Sequence, residues 1–381
     1  MKFLLIASFA DSLITFRKPL IIALLNNDLK VHVAAPELSS NKSVLSELTA
    51  LGVIMHDIPM QRTGMNPISD LRALFSLWWL MLQIKPYYIL GYTIKPVIYG
   101  AVAAWLAKVP NRFALITGLG YAFQGDGNTG KRGVIRQLVQ RLYALSLGTT
   151  HKVFFQNPDD QALFKQLNIL KPSIPSFVVN GSGVNISEYE PAPLPAQPRF
   201  LLIARLLGDK GVREYAQAAK QIKKNHPEVN FDLVGWIDEN PDTIKQQELD
   251  TWIEEGTLNY LGKLADVRPA ISNCSVFVLP SYREGTPRTV LEAMSMGRAI
   301  ITTDAPGCRE TVIDNDNGFL VPVKSVEALV VAMKNLIDNP DLIKKMGQRS
   351  REIAEEKYDV HKVNDSMLKA MGISESTNRY A

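Results

Sequence analysis

Short apolar runs alternate along this chain with longer stretches in which apolar residues recur every three or four positions. Phe3–Ser8, Val31–Ala35, Tyr88–Gly91, Arg112–Thr117 and Val153–Asn157 read as buried strands, with Phe177–Val179 as a shorter one. Pro19–Asn26 and Gly133–Leu147 carry the helical period between them. A stretch with Pro191, Pro193, Pro195 and Pro198 interrupts the pattern and reads as a hinge or linker. The alternation then resumes. Arg199–Ala204, Asn230–Val234, Leu258–Tyr260, Val276–Leu279, Ala299–Thr302 and Gly318–Val321 read as strands, Val212–Lys224 as a helix, and helices follow to about Leu368. Strand–helix alternation on both sides of a linker predicts an α/β protein with two Rossmann-like, doubly wound parallel sheets facing a cleft. Such sheets bind ligands at the carboxyl ends of their strands. The expected boundaries are 1–185, 186–360 and a C-terminal helix and tail, 361–381, packing back on the first domain.

An apolar content of 46% and a charged content of 21% describe a folded chain. Cys274 and Cys308 are the only cysteines, too few for a disulfide framework, so a reducing cytoplasm is expected. The net charge of +4 conceals an asymmetry. Residues 1–190 hold 18 Lys and Arg against 11 Asp and Glu, whereas residues 191–381 hold 24 against 27. The first half is therefore expected to meet anions such as phosphates or lipid headgroups. The apolar start at Met1 runs into Asp11 and is too short for a signal peptide. Ala73–Leu82, with Trp78 and Trp79, is too short for a membrane span.

Three sequence patterns imitate known sites. Gly125-Asp126-Gly127-Asn128-Thr129-Gly130-Lys131-Arg132 contains G-x-G-x-x-G and nearly a phosphate loop. It does not follow the first strand, however, and Arg132 stands where a magnesium-binding hydroxyl is needed. Asp314-Asn315-Asp316 resembles a metal-binding D-x-D but reads as a turn. The five histidines are scattered and show no zinc spacing. No metal site is expected.

Two features of the second half suit a nucleoside diphosphate. Ala204-Arg205-Leu206-Leu207-Gly208-Asp209-Lys210-Gly211 lies between a strand and a helix, so two cations flank a turn beside helix amides. Glu284-Gly285-Thr286-Pro287-Arg288-Thr289-Val290-Leu291-Glu292 follows another strand, with one glutamate in a loop and the second about two turns into a helix. Carboxylates accept hydrogen bonds from sugar hydroxyls. Taken singly, the first could be a basic surface turn and the second a capped helix.

Together with Gly183-Val184-Asn185, these features resemble the retaining glycosyltransferase family 4, which has the GT-B fold. Further resemblance lies in Phe16-Arg17-Lys18-Pro19, Arg112-Phe113-Ala114-Leu115, Gly118-Leu119-Gly120, Leu279-Pro280-Ser281-Tyr282 and Gly307-Cys308. It covers nearly the whole chain and is similar in detail to bacterial transferases that add N-acetylgalactosamine to a sugar on undecaprenyl diphosphate. The resemblance implies a UDP-linked N-acetylhexosamine donor, front-face retention and no cofactor or metal. It implies catalytic roles for Arg205, Lys210 and Glu284. It also implies a nucleotide-sugar site at Gly285, Thr286, Pro287, Glu292, Gly235 and Gly262, and an acceptor site at Arg17, Lys95, Gly118 and Gly120. Where many relatives carry a first-domain histidine, this chain has Ile94, flanked by Thr93 and Lys95, so no general base is assigned.

Lys131–Leu147 reads as a basic amphipathic helix. Lys131, Arg132, Arg136 and Arg141 are interleaved with Val134, Ile135, Leu138, Val139, Leu142, Tyr143 and Leu145. The same apolar residues could form a core stripe. With the tryptophans and the basic first half, they favour a peripheral position on the inner face of the cell membrane. The expected partners are a nucleotide sugar, a lipid-linked saccharide and the membrane surface; nucleic acid is not among them. The competing readings are a nucleotide-sugar epimerase or phosphorylase of the same architecture and a non-catalytic glycan-assembly scaffold. No pyridoxal lysine for a phosphorylase is identifiable.

Overall fold

The computed structural model describes residues 1–61, 66–119, 130–238, 240 and 242–373, with residues 130–132 described by backbone alone. The chain divides into two compact units, Met1–Ser182 with His361–Ala381, and Gly183–Val360.

In the first unit, β1 (Lys2–Ile6), β2 (Lys30–Ala35), β3 (Ile54–Asp57), β4 (Tyr88–Tyr92), β5 (Asn111–Ile116), β6 (Lys152–Phe155) and β7 (Ser176–Val178) form one sheet. Every pairing is parallel, in the order β3-β2-β1-β4-β5-β6-β7. β3 escaped the sequence reading for a physical reason. It is an edge strand reading Ile-Met-His-Asp, mostly half-buried, and lacks the continuous apolar run of a central strand. The helix Val360–Met371 belongs to this unit, because Met367, Leu368, Met371 and Ile373 join the core cluster of Phe3, Leu90, Phe113 and Phe154. Burying a side chain of that kind stabilises by about 1.5–3 kcal/mol relative to exposure.

In the second unit, β8 (Arg199–Ile203), β9 (Asn230–Val234), β10 (Asn259–Tyr260), β11 (Val276–Leu279), β12 (Ala299–Thr303) and β13 (Gly318–Val321) form the other sheet. It too is wholly parallel, in the order β10-β9-β8-β11-β12-β13. Both sheets reverse their strand order once, between β1 and β4 and between β8 and β11. At such a reversal the two loops leave in opposite directions and open a crevice at the carboxyl ends of the strands.

The D-x-D stretch is a turn. Asn315 has φ 62°, the Asp314 carboxylate accepts from the Leu320 amide, and Asp316 pairs with Arg349 at 2.9 Å. The Gly125–Arg132 imitation lies outside the described residues, except for the backbone of its last three positions.

Candidate functional site at the strand-order reversal of the second sheet

The segment after β8 turns sharply through the short 3-10 helix Gly208–Lys210 and enters the helix Val212–Lys223. Gly211, between them, has φ 71°, and a Cβ there would lie 2.1 Å from the Pro280 carbonyl oxygen. Only glycine satisfies both the left-handed backbone and this close approach. The turn is thereby seated directly on the end of β11.

The loop after β11 completes the seat. The Asp209 carbonyl accepts from the Tyr282 amide at 2.8 Å and from the Ser281 hydroxyl at 3.1 Å. Lys210 Nζ donates to Glu284 Oε1 at 2.6 Å, and the same oxygen accepts from Ser281 Oγ at 2.8 Å. Burial alone would lower the pKa of the Lys210 ammonium, but the Glu284 and Asp209 carboxylates outweigh it and leave the pKa raised. Lys210 therefore stays a cation in a largely dry position. Gly307, with φ 83°, lies under the same loop, where a Cβ would meet the Glu284 carbonyl oxygen at 2.1 Å.

A third loop laces onto the turn after β8. Leu206 N donates to Trp236 O, Ile244 N to Leu206 O, and Gly208 N to Asp242 O. Asp209 N donates to the Asp242 carboxylate at 2.9 Å. Within this lacing Arg205 Nη1 donates to Asp238 Oδ2 at 2.8 Å. Gly235 N donates to Gly262 O at 2.9 Å, so two further expected site residues meet at the carboxyl end of β9.

Gly285, Thr286 and Pro287 lead into the helix Arg288–Ser295, with Pro287 as its N-cap. Glu292 lies on the buried side of that helix. Its Oε1 accepts from Arg288 Nε at 2.8 Å and from the Tyr189 hydroxyl at 3.0 Å. Burial raises its pKa, while Arg288 and Tyr189 pull the other way.

The structure thus brings Lys210 and Glu284 into direct contact across the β8–β11 reversal and places Arg205 on the same turn. Sequence reasoning missed Asp238, Asp242 and Tyr189, and it named Ser281 only within a resembling stretch, without a role. Each acts through tertiary contact, and none falls in a spaced motif.

Of the expected acceptor residues, Arg17 follows β1 and Lys95 follows β4, the two strands at the order reversal of the first unit. Arg17 is buried with its guanidinium 5.0 Å from the centre of the Tyr92 ring, whose hydroxyl bonds Ser12 Oγ at 2.7 Å. Lys95 pairs with Asp70 at 2.8 Å, and Lys18 with Glu47 at 2.6 Å. Thr93, beside Ile94, has φ 69° and a buried hydroxyl. That backbone is costly for a β-branched residue. Gly118 also has positive φ, at 128°, whereas Gly120 lies outside the described residues.

Two family profiles match, glycosyl transferases group 1 over residues 189–353 and glycosyl transferase 4-like over residues 3–157. The N,N'-diacetylbacillosaminyl-diphospho-undecaprenol alpha-1,3-N-acetylgalactosaminyltransferase of Campylobacter jejuni is 29% identical over 94% of this chain and 95% of its own length. The UDP-Gal:alpha-D-GlcNAc-diphosphoundecaprenol alpha-1,3-galactosyltransferase of Escherichia coli is 27% identical over 74% of each chain. Among solved structures, sucrose-phosphate synthase from Thermosynechococcus elongatus superposes with a TM-score of 0.79 at 17% identity, over 97% of this chain and 98% of that one. Anabaena HepE in complex with UDP gives 0.74 at 17% identity, over 98% and 100%. With a glycosyltransferase profile on each half and the paired parallel sheets of the GT-B fold, the chain belongs to the group 1 and 4-like glycosyltransferases.

Proposed function

We propose that this glycosyltransferase moves an N-acetylhexosamine from a UDP-sugar, with retention, onto a saccharide carried by a polyprenyl diphosphate. The observation that carries the reading is the Lys210–Glu284 contact at the reversal of the second sheet. It joins a cation suited to a leaving pyrophosphate with a carboxylate suited to sugar hydroxyls. The two undecaprenyl-linked relatives, both named for alpha-1,3 transfer, support the acceptor class.

In the proposed step, the donor phosphates exchange with Asp238 and Glu284 as partners of Arg205 and Lys210. The bond from the anomeric carbon to the pyrophosphate oxygen breaks and leaves an oxocarbenium-like sugar. The acceptor hydroxyl then bonds to the same face of that carbon, and its proton passes to the departing phosphate oxygen. Stabilising the leaving charge is the main catalytic task. Hydrogen bonds to charged groups contribute about 1.5–3 kcal/mol each. Two such cations would supply about 3–6 kcal/mol where they act mainly in the transition state. No metal or cofactor enters this step. Glu284 orients the sugar and Glu292 the ribose.

The first unit is assigned the acceptor and the membrane surface. No described helix is long and apolar enough to cross a membrane. The helix Pro67–Ile84 instead exposes Ile68, Leu71, Phe75, Trp79 and Leu82 along one side. The helix Gly130–Leu147 divides its apolar residues: Val139, Tyr143 and Leu147 enter the core, while Val134, Ile135, Leu138 and Leu145 face out beside the exposed Arg141. The helix thus carries both a core stripe and an exposed apolar face. The side chains of Lys131 and Arg132 lie outside the description. Exposed apolar stripes on a basic unit suit an anionic lipid surface.

The test incubates the protein with UDP-N-acetylhexosamines, with and without undecaprenyl-diphosphate-linked saccharides. The reading expects sugar transfer only in the presence of acceptor. Epimerised donor without acceptor would favour the epimerase, and absence of turnover with every acceptor would favour the scaffold.

A further inference from the structure

The buried carboxylate of Glu292 is held by two groups, and one of them lies outside every motif of the family resemblance. Tyr189 sits six positions beyond Gly183, where the second unit begins. Its backbone is fixed from three directions. Tyr189 N donates to Asn185 O at 3.1 Å, and the Tyr189 carbonyl accepts from Ser295 Oγ at 2.7 Å and from Arg351 Nη1 at 3.0 Å. Ser295 lies on the same helix as Glu292, three residues on, so this anchor fixes the tyrosine to the element that carries the carboxylate. The ring packs among the apolar residues of that core, and its hydroxyl reaches Glu292 Oε1.

Both donors, Tyr189 and Arg288, fall on Oε1, and no described residue donates to Oε2. Two bonds to one oxygen fix the rotamer of the carboxylate and leave the other oxygen available as an acceptor. A neutral hydroxyl does this without adding a second cation, so Oε2 keeps its negative character. A phenylalanine would fill the same space and leave the carboxylate held only by Arg288, whose side chain is itself a quarter exposed.

We infer that Tyr189 is a positioning residue for ribose recognition, orienting Glu292 so that Oε2 accepts from a ribose hydroxyl of the nucleotide donor. This rests on the proposed role of Glu292. Loss of a clamp on a carboxylate weakens its directional bond more than the packing around it. The cost therefore falls on nucleotides that carry the hydroxyl.

The test compares Y189F and E292Q with the unaltered protein, using UDP, 2′-deoxy-UDP and 3′-deoxy-UDP as calorimetric ligands. The unaltered protein is expected to prefer UDP over at least one deoxy analogue by about tenfold, one good hydrogen bond's worth. E292Q should reduce that preference to about twofold or less, and Y189F should lower it by about threefold or more. With Y189F the KM for the donor should rise while kcat holds within about twofold. Should E292Q keep the full preference, the ribose role of Glu292 is wrong and the inference falls with it. Should E292Q lose the preference while Y189F keeps it, Tyr189 is packing alone. Equal weakening of all three nucleotides by Y189F also overturns the positioning role, whatever its effect on thermal stability.

Discussion

The two units share one strand order, apart from the extra edge strand β7 of the first, yet build their reversals differently. In the second unit, loops from β8, β9 and β11 converge, and the cations of the segment after β8 are paired with carboxylates at hydrogen-bond distance: Arg205 with Asp238, Lys210 with Glu284. In the first unit, Arg17 is buried over an aromatic ring and Lys95 is held by Asp70, while the outward character comes from apolar helix faces. The same architecture thus yields a charge-ordered cluster at the reversal of one unit and exposed apolar helix faces in the other. The comparison teaches that the sheet supplies only the position of a site, and the loops and helices supply its chemistry.

The sharpest way to break this contrast is to remove the cations of the second unit. R205A and K210A should each lower kcat/KM for transfer by about 10- to 150-fold, equivalent to about 1.5–3 kcal/mol. K210A should have the larger effect, because it also leaves Glu284 without its buried partner cation. Steady-state kinetics on folded variants checks this, and a loss under about threefold for both would refute the assignment.

Next in size is the membrane arm. F75E/W79E and L138E/L145E should each reduce flotation with anionic liposomes by about fivefold or more, because a charge on an apolar stripe proposed to enter the lipid opposes burial. R136E/R141E should do so less strongly, through lost attraction to the headgroups. Affinity for UDP should be unchanged in all of them. Unaltered flotation would remove the membrane from the account, and a parallel loss of UDP affinity would erase the division of labour between the units.

A smaller effect separates the units by pH. His32 and His56 stack on neighbouring strands of the first sheet, with Nδ1 of the first 2.9 Å from Nε2 of the second. Burial, the neighbouring His56, and Lys2 and Lys30 lower the pKa of His32 to about 4. The unfolded chain takes up this proton near pH 6.5, so stability from this source is full above that value and falls as the pH drops towards 4. Urea unfolding at pH 7, 6 and 5 should show the first unit weakening, and H32Q should flatten the trend. An identical slope in H32Q would exclude this source. The smallest expected effect is none at all: EDTA should leave transfer unchanged, and lost activity restored by a divalent cation would contradict the metal-free step.

Much of the second unit was legible in sequence because its chemistry is local. Arg205 and Lys210 share one turn, and Glu284 to Glu292 run through one loop and helix, so each could be singled out by spacing, and the family resemblance joined them. Val276–Leu279 and Gly318–Val321 were also readable, as compact apolar runs. Asp238 and Tyr189 were not legible, since their partners lie 33 and 103 positions away and no period marks them. The helix Gly130–Leu147 shows a different limit. Its apolar residues were visible, but which of them face the core depends on how the helix sits on its unit, as Tyr143 and Leu145 show by pointing to opposite environments. Arg17 and Lys18 are adjacent cations in sequence, yet one is buried against Tyr92 and the other lies in an exposed ion pair.

The proposed reaction requires the second unit's reversal to seat a diphosphate. Calorimetric titration of UDP and of uridine into the unaltered protein and into R205A and K210A tests it. The account predicts that each substitution weakens UDP by at least about tenfold while uridine binding stays within about twofold, since only the phosphates meet these cations. UDP affinity that survives both substitutions, or uridine affinity that falls as far as that of UDP, would contradict it.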